Sequence, residues 1–291
     1  MSLSVRFVSP SSRARPWGAL AIAGLALTLA GCETVGGVAG RGGRAPIVET
    51  SEDCASIQVN VASLSEVIQR TPNDPTGYNT RGAAYARCGR YQEAIADFTQ
   101  AIRVDPAHFA AYTNRGLAYR QTGRADLALA DFTRAIDSNP RHAPAYIARA
   151  NVLRAQNNLE QATSDLNEAV RLNPENAQSF HARGLIHQRN GDHVRAITDF
   201  DNAIDRDPFV AAPYQARGQS LTIVGKYDAA IEDFNAALNV NNQNSDAWAG
   251  LGLAYERKGD RGKAAESYQR ALTVNPSNTF AREGQSRIGR G

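Results

Sequence analysis

The sequence predicts an all-α protein built as a solenoid, a stack of similar helical hairpins rather than a closed globule. The main observation is a unit of 34 residues that recurs six times without an insertion or a deletion. Three registers mark the unit, and their members are Gly82, Gly116, Ala150, Gly184, Gly218 and Gly252; Ala94, Ala128, Ala162, Ala196, Ala230 and Ala264; and Phe98, Phe132, Leu166, Phe200, Phe234 and Tyr268. A fixed period of this length is typical of stacked repeats, which form long binding surfaces and seldom form catalytic pockets.

The first predicted element is a signal segment over residues 1–31. Three arginines and no acidic residue come before the apolar run 17–30, which is shorter than the roughly 20 residues that span a bilayer. The run ends in Leu-Ala-Gly followed by Cys32, and it resembles the signal of bacterial lipoproteins. In that family the cysteine receives a diacylglycerol, the signal is cut before it, and the new amino group is acylated. The resemblance implies a lipid anchor at Cys32; the alternative is an ordinary signal with a chance cysteine.

The second predicted element is a tether over residues 32–50. This stretch is rich in glycine and has no helical or strand period, so we expect a flexible linker with an r.m.s. reach of about 20–25 Å. Several acyl chains on Cys32 would hold the chain stably at a membrane. In enteric bacteria an aspartate directly after the lipidated cysteine tends to retain a lipoprotein in the inner membrane. This sequence has Glu33 there, and the absence of the aspartate favours the outer membrane. We therefore expect an envelope protein at the outer membrane that faces the periplasm.

Residues 75–276 hold the six repeats, and each repeat is predicted to be a helix, a turn and a second helix. In the second repeat, residues 109–142, tyrosines and a glycine recur at helical spacing until Gly123 interrupts them. Alanines and Phe132 then form a second helical stripe, and Pro140 ends it because proline cannot continue a helix interior.

Two further elements are predicted to cover the ends of the stack, as solenoids require. Residues 51–74 are interpreted as a degenerate N-terminal half-repeat, because Leu64, Val67 and Pro72 fall at repeat positions 24, 27 and 32. Residues 277–291 carry an apolar stripe and are interpreted as a C-terminal capping helix and tail.

The repeat positions resemble those of the tetratricopeptide repeat (TPR). The family has an aromatic residue at position 4, Gly at 8, Tyr at 11, Ala at 20, an aromatic at 24, Ala at 27 and Pro at 32. The first repeat carries Tyr78, Gly82, Tyr85, Ala94, Phe98, Ala101 and Pro106, and the sixth carries Trp248, Gly252, Tyr255, Ala264, Tyr268, Ala271 and Pro276. The resemblance implies a right-handed α-solenoid of six TPR hairpins, with the N-terminal half-repeat and the C-terminal cap at its ends.

Two columns of charged residues occur together in five repeats and are absent together in the sixth. Position 7 holds Arg81, Arg115, Arg149, Arg183, Arg217 and then Leu251, while position 23 holds Asp97, Asp131, Asp165, Asp199, Asp233 and then Ser267. This co-occurrence favours structural ion pairs, a series of bidentate Arg–Asp contacts between helices. The alternative is an arginine stripe that binds an acidic ligand.

In the TPR family the inner, concave face is lined by positions 2, 5, 9, 12 and 13 of each first helix, and we call this surface the groove. The candidate groove contacts are Asn79, Arg87, Thr113, Arg120, Asn151, Arg154, His181, Gln188, Arg189, Gln215, Gln219 and Arg257. Amides suit the backbone of an extended peptide, and arginines suit carboxylates; the alternative is a merely solvated groove. The family's clamp of Lys and Asn at positions 5 and 9 is not carried over, because position 5 has no lysine.

Other chemistry receives little support from the sequence. The three arginines of residues 1–31 account for the whole formal charge of +3, so the remainder is neutral and lacks a nucleic-acid footprint. The five histidines form no metal motif, and no nucleophile–base set, catalytic residue or cofactor motif is recognisable. Cys54 and Cys88 lie 34 residues apart and leave two alternatives open, a disulfide or two core thiols.

The predicted function is a membrane-anchored periplasmic scaffold that binds partner proteins or extended peptide segments in its groove. It resembles the TPR lipoproteins that serve as adaptors in the bacterial envelope. One alternative is a lipoprotein that assembles a pilus, a secretin or an outer-membrane machine. An alternative of another class is an envelope enzyme with a site hidden in the groove.

Overall fold

The computed structural model describes residues 51–289, and of residues 51–59 only Cys54 has a described side chain. The predicted signal over 1–31 and tether over 32–50, with Cys32, lie outside the described residues. The described part is all-helical. It consists of the helices α1 (Ser51–Arg70), α2 (Pro75–Arg87), α3 (Tyr91–Val104), α4 (Phe109–Gln121), α5 (Ala125–Ser138), α6 (Ala143–Ala155), α7 (Leu159–Leu172), α8 (Ala177–Arg189), α9 (His193–Arg206), α10 (Ala211–Ile223), α11 (Tyr227–Val240), α12 (Ser245–Lys258), α13 (Arg261–Val274) and α14 (Thr279–Gly289).

Helices α2 to α13 form six hairpins, one for each repeat of the sequence. The even-numbered helices α2 to α12 are the first helices of the hairpins, and the odd-numbered helices α3 to α13 are the second helices. Each first helix packs against its own second helix, and each second helix packs against the first helix of the next repeat. The result is an α-solenoid, as the repeat predicts.

The packing also shows which helices face inward. Each first helix contacts the first helix of the next repeat, from α2 with α4 through α12 with α14, whereas no two second helices contact each other in the described part of the chain. Neighbouring units therefore approach most closely along their first helices. A stack that is tighter on one side curves toward that side, so the first helices line the inner face.

The core of each hairpin is built from the small and aromatic registers of the sequence. Ala128, Phe132 and Ala135 of α5 have no exposed surface, and the same three positions are buried in every second helix. A methyl group at Gly116 would lie 2.6 Å from the Phe132 ring, so the glycine lets the ring sit directly on the first helix. The third repeat has Ala150 opposite Leu166, so its larger first-helix residue faces a smaller partner.

The turn inside each hairpin depends on one residue with a positive φ angle. Glycine takes this conformation in five repeats, for example Gly123 at φ 77° and Gly259 at φ 94°. Asn157 takes it in the third repeat at φ 64°, which agrees with the tolerance of asparagine for the left-handed region.

Short polar side chains set the connection between one repeat and the next. The residue after each second helix is Asp or Asn, and its side-chain oxygen accepts a hydrogen bond from the backbone N–H two residues later, as Asp105 does from Ala107. Several first helices are then capped by a second such residue, as Asn176 caps α8 by accepting from the Ser179 N–H. Each element is therefore terminated locally by its own sequence.

Each end of the stack is covered by one helix. At the N-terminal end α1 packs on α2, with Ile68 buried against Gly77. At the C-terminal end α14 packs on α12 and α13, where Gly284 lies so close to the Tyr268 ring that a methyl group there would be 2.3 Å from it. Arg287 of α14 donates to Glu256, which also accepts from the Tyr268 hydroxyl. None of the helices in the described range has the length and apolar character to cross a membrane.

Cys54 of α1 and Cys88, the residue that follows α2, are not joined by a disulfide. Both side chains are half-buried, so the second alternative, a pair of core thiols, also overstates their burial.

Candidate functional site

The candidate groove residues differ in how much of their surface reaches solvent. Arg87, Arg120, Arg189, Gln219 and Arg257 are exposed; Asn79, Asn151, Arg154, His181, Gln188 and Gln215 are half-buried; and Thr113 is buried. The groove is therefore a real surface of the first helices, but its members are not equally free to bind a ligand.

Thr113 corrects the sequence prediction, because it does not line the groove. Its side chain is 4% exposed, and its hydroxyl donates to the carbonyl oxygen of Phe109 within α4. A threonine in a helix interior commonly turns its hydroxyl back to the preceding turn, which leaves only the methyl group for packing. The side chain thus completes the packing between repeats.

Three other predicted contacts already have partners inside the protein. Asn79 accepts a hydrogen bond from Asn114, and Gln215 accepts one from Asn244. Gln188 donates to the carbonyl of Ala216. These amides join one repeat to the next and so hold the groove in shape, whereas Asn151 and Gln219 make no side-chain hydrogen bond within the described residues.

The C-terminal half of the groove contains a cavity of about 560 Å³. Its polar lining includes the predicted residues Gln188, Gln215 and Gln219. Its apolar lining was not anticipated from the sequence and includes Ile223 of α10, Leu253 of α12 and Phe280 of α14, beside the buried Phe234 and Ala249. Ile223 is 64% exposed and Phe280 is 42% exposed, so both present apolar surface to a ligand.

A signal for this apolar wall exists in the sequence. Position 13 is Arg87, Arg189 and Arg257 in three of the repeats, and the fifth repeat has Ile223 there. A comparison of the repeats therefore shows that an apolar isoleucine replaces a charged arginine at position 13 of the fifth repeat. Phe280 of the capping helix lies 34 residues after Asp246, at groove position 2, where none of the six repeats carries an aromatic residue.

The middle of the groove is basic. Arg120 and Arg154 occupy position 12 in successive repeats, and Arg189 follows in α8. Neighbouring protein around the guanidinium lowers the pKa of Arg120, although the side chain as a whole stays exposed. Burial and, next, the charge of Arg189 lower the pKa of Arg154. The Arg189 Nη1 donates to the backbone carbonyl of Arg154 at 3.1 Å.

Five Arg–Asp pairs stand outside this groove, between the two helices of their hairpins. In each repeat the arginine Nε and Nη2 donate to the two carboxylate oxygens of the aspartate sixteen residues later, at 2.6–2.9 Å. The aspartate side chains are less than one tenth exposed and the arginine side chains about one fifth. The hydrogen bond that each arginine donates to its aspartate raises the pKa of the arginine, for example that of Arg149.

The third guanidinium nitrogen of each arginine reaches the preceding repeat, which sequence reasoning did not foresee. Its acceptors all stand at position 25 of the second helix before it and are Ser65, Thr99, Thr133, Asn167 and Asp201. We call the five arginines with their aspartates and these acceptors the ladder. Because every ladder arginine is committed to internal partners, the ladder is structural.

The histidines do not gather in one site: His181 and His187 lie on α8, His193 begins α9, and His108 and His142 precede α4 and α6. His108 accepts the Ala111 N–H at the start of α4, and His142 stacks on Phe109 with ring centroids 4.7 Å apart. His187 Nε2 lies 3.6 Å from Asp199, and burial lowers the pKa of this histidine. Within residues 51–289 no group of three His, Cys, Asp or Glu side chains is arranged to hold a metal ion.

Family comparison decides what the repeats are. The tetratricopeptide repeat model matches residues 79–143 and 216–279, and a second model, described as a TPR repeat, matches residues 150–191. The chain belongs to the tetratricopeptide repeat family. TPR arrays act as scaffolds for interactions between proteins and bind peptides or other proteins. A comparison with curated proteins gives no significant match.

Solved structures share the TPR fold at low sequence identity. A chain of the APC/C hetero-tetramer Cut9–Hcn1 is 20% identical with a TM-score of 0.71; the match covers 82% of this chain and 46% of that one. PilF of Pseudomonas aeruginosa is 20% identical with a TM-score of 0.67, over 73% of this chain and 97% of that one. YrrB, described as a TPR protein with an unusual peptide-binding site, is 23% identical with a TM-score of 0.55, over 65% and 97%. At these identities the likeness concerns the fold.

Proposed function

We propose that this TPR protein is a scaffold that binds an extended segment of a partner protein along its groove. The observation that carries the proposal is the cavity of about 560 Å³ between α10, α12 and α14. Its apolar side chains can receive one side chain of the segment. Gln219, whose amide is not used inside the protein, can donate to and accept from the segment's backbone.

We further propose that acyl chains on Cys32 hold the scaffold at the bacterial envelope, at the outer membrane and facing the periplasm. The arginines, the apolar run and the Leu-Ala-Gly-Cys sequence support the anchor. The glycine-rich residues 32–50 support a tether that lets the TPR array reach partners close to the membrane. The anchor thereby raises the local concentration of the scaffold beside membrane-bound partners.

A test of partner binding is photo-crosslinking in cells that produce the protein. A crosslinking amino acid at Gln219 samples the groove, and the same amino acid at the exposed Glu232 of α11 samples the outer side of the same repeat. We expect covalent adducts with defined envelope proteins from position 219 and not from position 232. Equal adducts from both positions would contradict binding in the groove.

The identity of the crosslinked protein separates the two scaffold roles. Adducts with cell-wall hydrolases or proteases support an adaptor, whereas adducts with subunits of a pilus, a secretin or an outer-membrane machine support the alternative of an assembly lipoprotein.

The anchor is tested by Cys32→Ala. We expect this variant to stay uncleaved or to leave the membrane fraction, and its mass to lack the acyl chains. A mass and a membrane distribution unchanged from the parent protein would refute lipidation.

A further inference from the structure

Two populations of arginine differ in whether they have a counter-charge. Each ladder arginine donates to a buried carboxylate. In contrast, Arg154 of α6 and Arg189 of α8 have no carboxylate within ion-pair distance in the range 51–289. Both stand in the groove, at positions 12 and 13 of consecutive repeats. The contrast lies in the environment, because the residue type is the same.

Arg154 is the more constrained of the two. Its Nε is fully buried and has no hydrogen-bond partner, one of two such buried side-chain atoms in the described part of the chain. A buried donor without an acceptor costs free energy comparable to a lost hydrogen bond, and more when the donor is charged. The fold of the unbound protein therefore holds Arg154 at a cost that its internal contacts do not offset.

Two groups of α8 add donors near Arg154, and one of them, Arg189, also adds positive charge. The hydrogen bond from Arg189 to the Arg154 carbonyl draws the second guanidinium toward the first. On the same helix as Arg189, the imidazole of His181 stands at groove position 5 and is half-buried, and the charge of Arg154 disfavours its protonation. A neutral imidazole of this kind can donate one N–H to an anion. Arg154, Arg189 and His181 thus offer three hydrogen-bond donors, and no carboxylate of the described residues pairs with them.

A carboxylate satisfies such a cluster best. Its oxygens can accept hydrogen bonds from the terminal Nη atoms of the two guanidiniums, since the Arg154 Nε itself is closed to solvent. A charge-assisted hydrogen bond is about twice as strong as a neutral one. A negative charge would also relieve the repulsion between Arg154 and Arg189. The charge of the site is therefore complementary to an acidic group of the segment that lies in the groove.

We propose that Arg154, Arg189 and His181 form a carboxylate-binding subsite that selects partner segments by an acidic side chain or a free C-terminus. This inference rests on the proposed binding of an extended segment in the groove. It adds to that function the chemical class of the residue recognised in the middle of the array.

The test is affinity selection from a random dodecapeptide library, made once with free and once with amidated C-termini, on the protein comprising residues 32–291 and on its variants. Arg154→Gln introduces the residue that the next repeat carries at this position as Gln188. Arg134→Gln, on the outer helix α5 and exposed, removes the same charge away from the groove. Arg189→Gln serves as a second groove variant.

We expect peptides selected on the parent protein to be enriched in Asp and Glu, or to require a free C-terminus. Their affinity should fall about tenfold or more in Arg154→Gln and Arg189→Gln, from the loss of one charge-assisted hydrogen bond, and stay unchanged in Arg134→Gln. Dependence on Asp or Glu with amidated ends identifies a side-chain carboxylate, and dependence on a free end identifies a terminal one.

Other outcomes overturn the inference in distinguishable ways. Selected peptides that bind the groove without any acidic group would leave the proposed scaffold function intact and refute the subsite. Failure to select any peptide would contradict the scaffold function as well. A melting temperature for Arg154→Gln well below that of Arg134→Gln would show that Arg154 is structural, whereas an equal or higher one agrees with a residue kept for its ligand.

Discussion

At the residue scale, each ladder arginine serves two repeats at once. Arg149 holds both oxygens of Asp165 in its own repeat and the hydroxyl of Thr133 in the repeat before it. The aspartate is buried, so its charge is tolerated only because the guanidinium satisfies it. A pair of this kind stabilises little on its own, but the loss of one partner leaves an uncompensated buried charge.

Asp165→Ala is therefore expected to lower the free energy of unfolding by about 3 kcal/mol, because Arg149 loses its carboxylate in a partly buried site. Urea unfolding followed by circular dichroism measures this change. Glu266→Ala, which removes an exposed acid from α13, should change stability by less than about 0.5 kcal/mol.

A double variant distinguishes the pair from the single charge. Arg149→Leu with Asp165→Ser reproduces the Leu251 and Ser267 that the sixth repeat carries at the same positions. We expect this double variant to recover most of the stability lost in Asp165→Ala, since neither charge stays behind unpaired. A double variant less stable than Asp165→Ala would contradict this explanation.

His181 makes the stability of the fold depend on pH. Burial and, next, the charge of Arg154 lower the pKa of His181 to about 4, below its ordinary value of about 6.5. Between these values the unfolded chain binds a proton that the folded chain does not, so the free energy of unfolding falls as pH decreases. The full contribution, about 3 kcal/mol, is present above pH 6.5 and is lost near pH 4.

Thermal melts of the protein and of His181→Gln between pH 7 and pH 4 test this effect. Gln is the residue of the fifth repeat at this position, Gln215. The parent protein should lose more stability than the variant over this range. Parallel losses would show that His181 is protonated as readily in the folded protein as in the unfolded chain.

At the element scale, the distance between the two helices of a hairpin depends on a matched pair of side chains. Glycine faces phenylalanine in repeats one, two and four, with ring atoms 2.6–2.7 Å from an added methyl group. The third repeat has the opposite combination, Ala150 with Leu166. Because the interior is closely packed, a larger residue on the first helix requires a smaller one opposite it on the second helix.

Gly116→Ala is expected to destabilise the protein by about 1–2 kcal/mol, because the new methyl group overlaps the Phe132 ring by more than the helix propensity of alanine offsets. Adding Phe132→Leu reproduces the pair of the third repeat. A double-mutant cycle by urea unfolding should then give a favourable coupling of about 1 kcal/mol. Additive losses would show that the ring moves aside without cost.

Sequence patterns predicted the hairpins and the Arg–Asp pairing for a common reason, because both recur with nearly constant residue types, the hairpins in all six repeats and the pairs in five. The acceptors at position 25 escaped notice because Ser65, Thr99, Asn167 and Asp201 share only a side-chain oxygen. Groove positions were identified from the family, but burial of Thr113 and the internal bond of Asn79 depend on how adjacent repeats dock. Such tertiary detail is not encoded in a single repeat.

At the scale of the whole molecule, the repeats pack through equivalent positions, but the groove residues that they expose differ. Each repeat contacts its neighbours through the same positions, so the fold grows by addition and its ends are closed by α1 and α14. The groove changes along its length, from the basic residues Arg120 and Arg154 to the apolar cavity at Ile223. A repetitive scaffold thereby carries a directional binding surface, which fits one orientation of an extended segment.

Hydrogen–deuterium exchange with and without the tightest peptide from the library selection tests binding in the groove most directly. If the first helices bind the segment, protection should increase in α6, α8, α10 and α12, while α7, α9, α11 and α13 keep their exchange rates. Protection confined to the second helices, or no protection at saturating peptide, would contradict a binding surface on the inner face of the array.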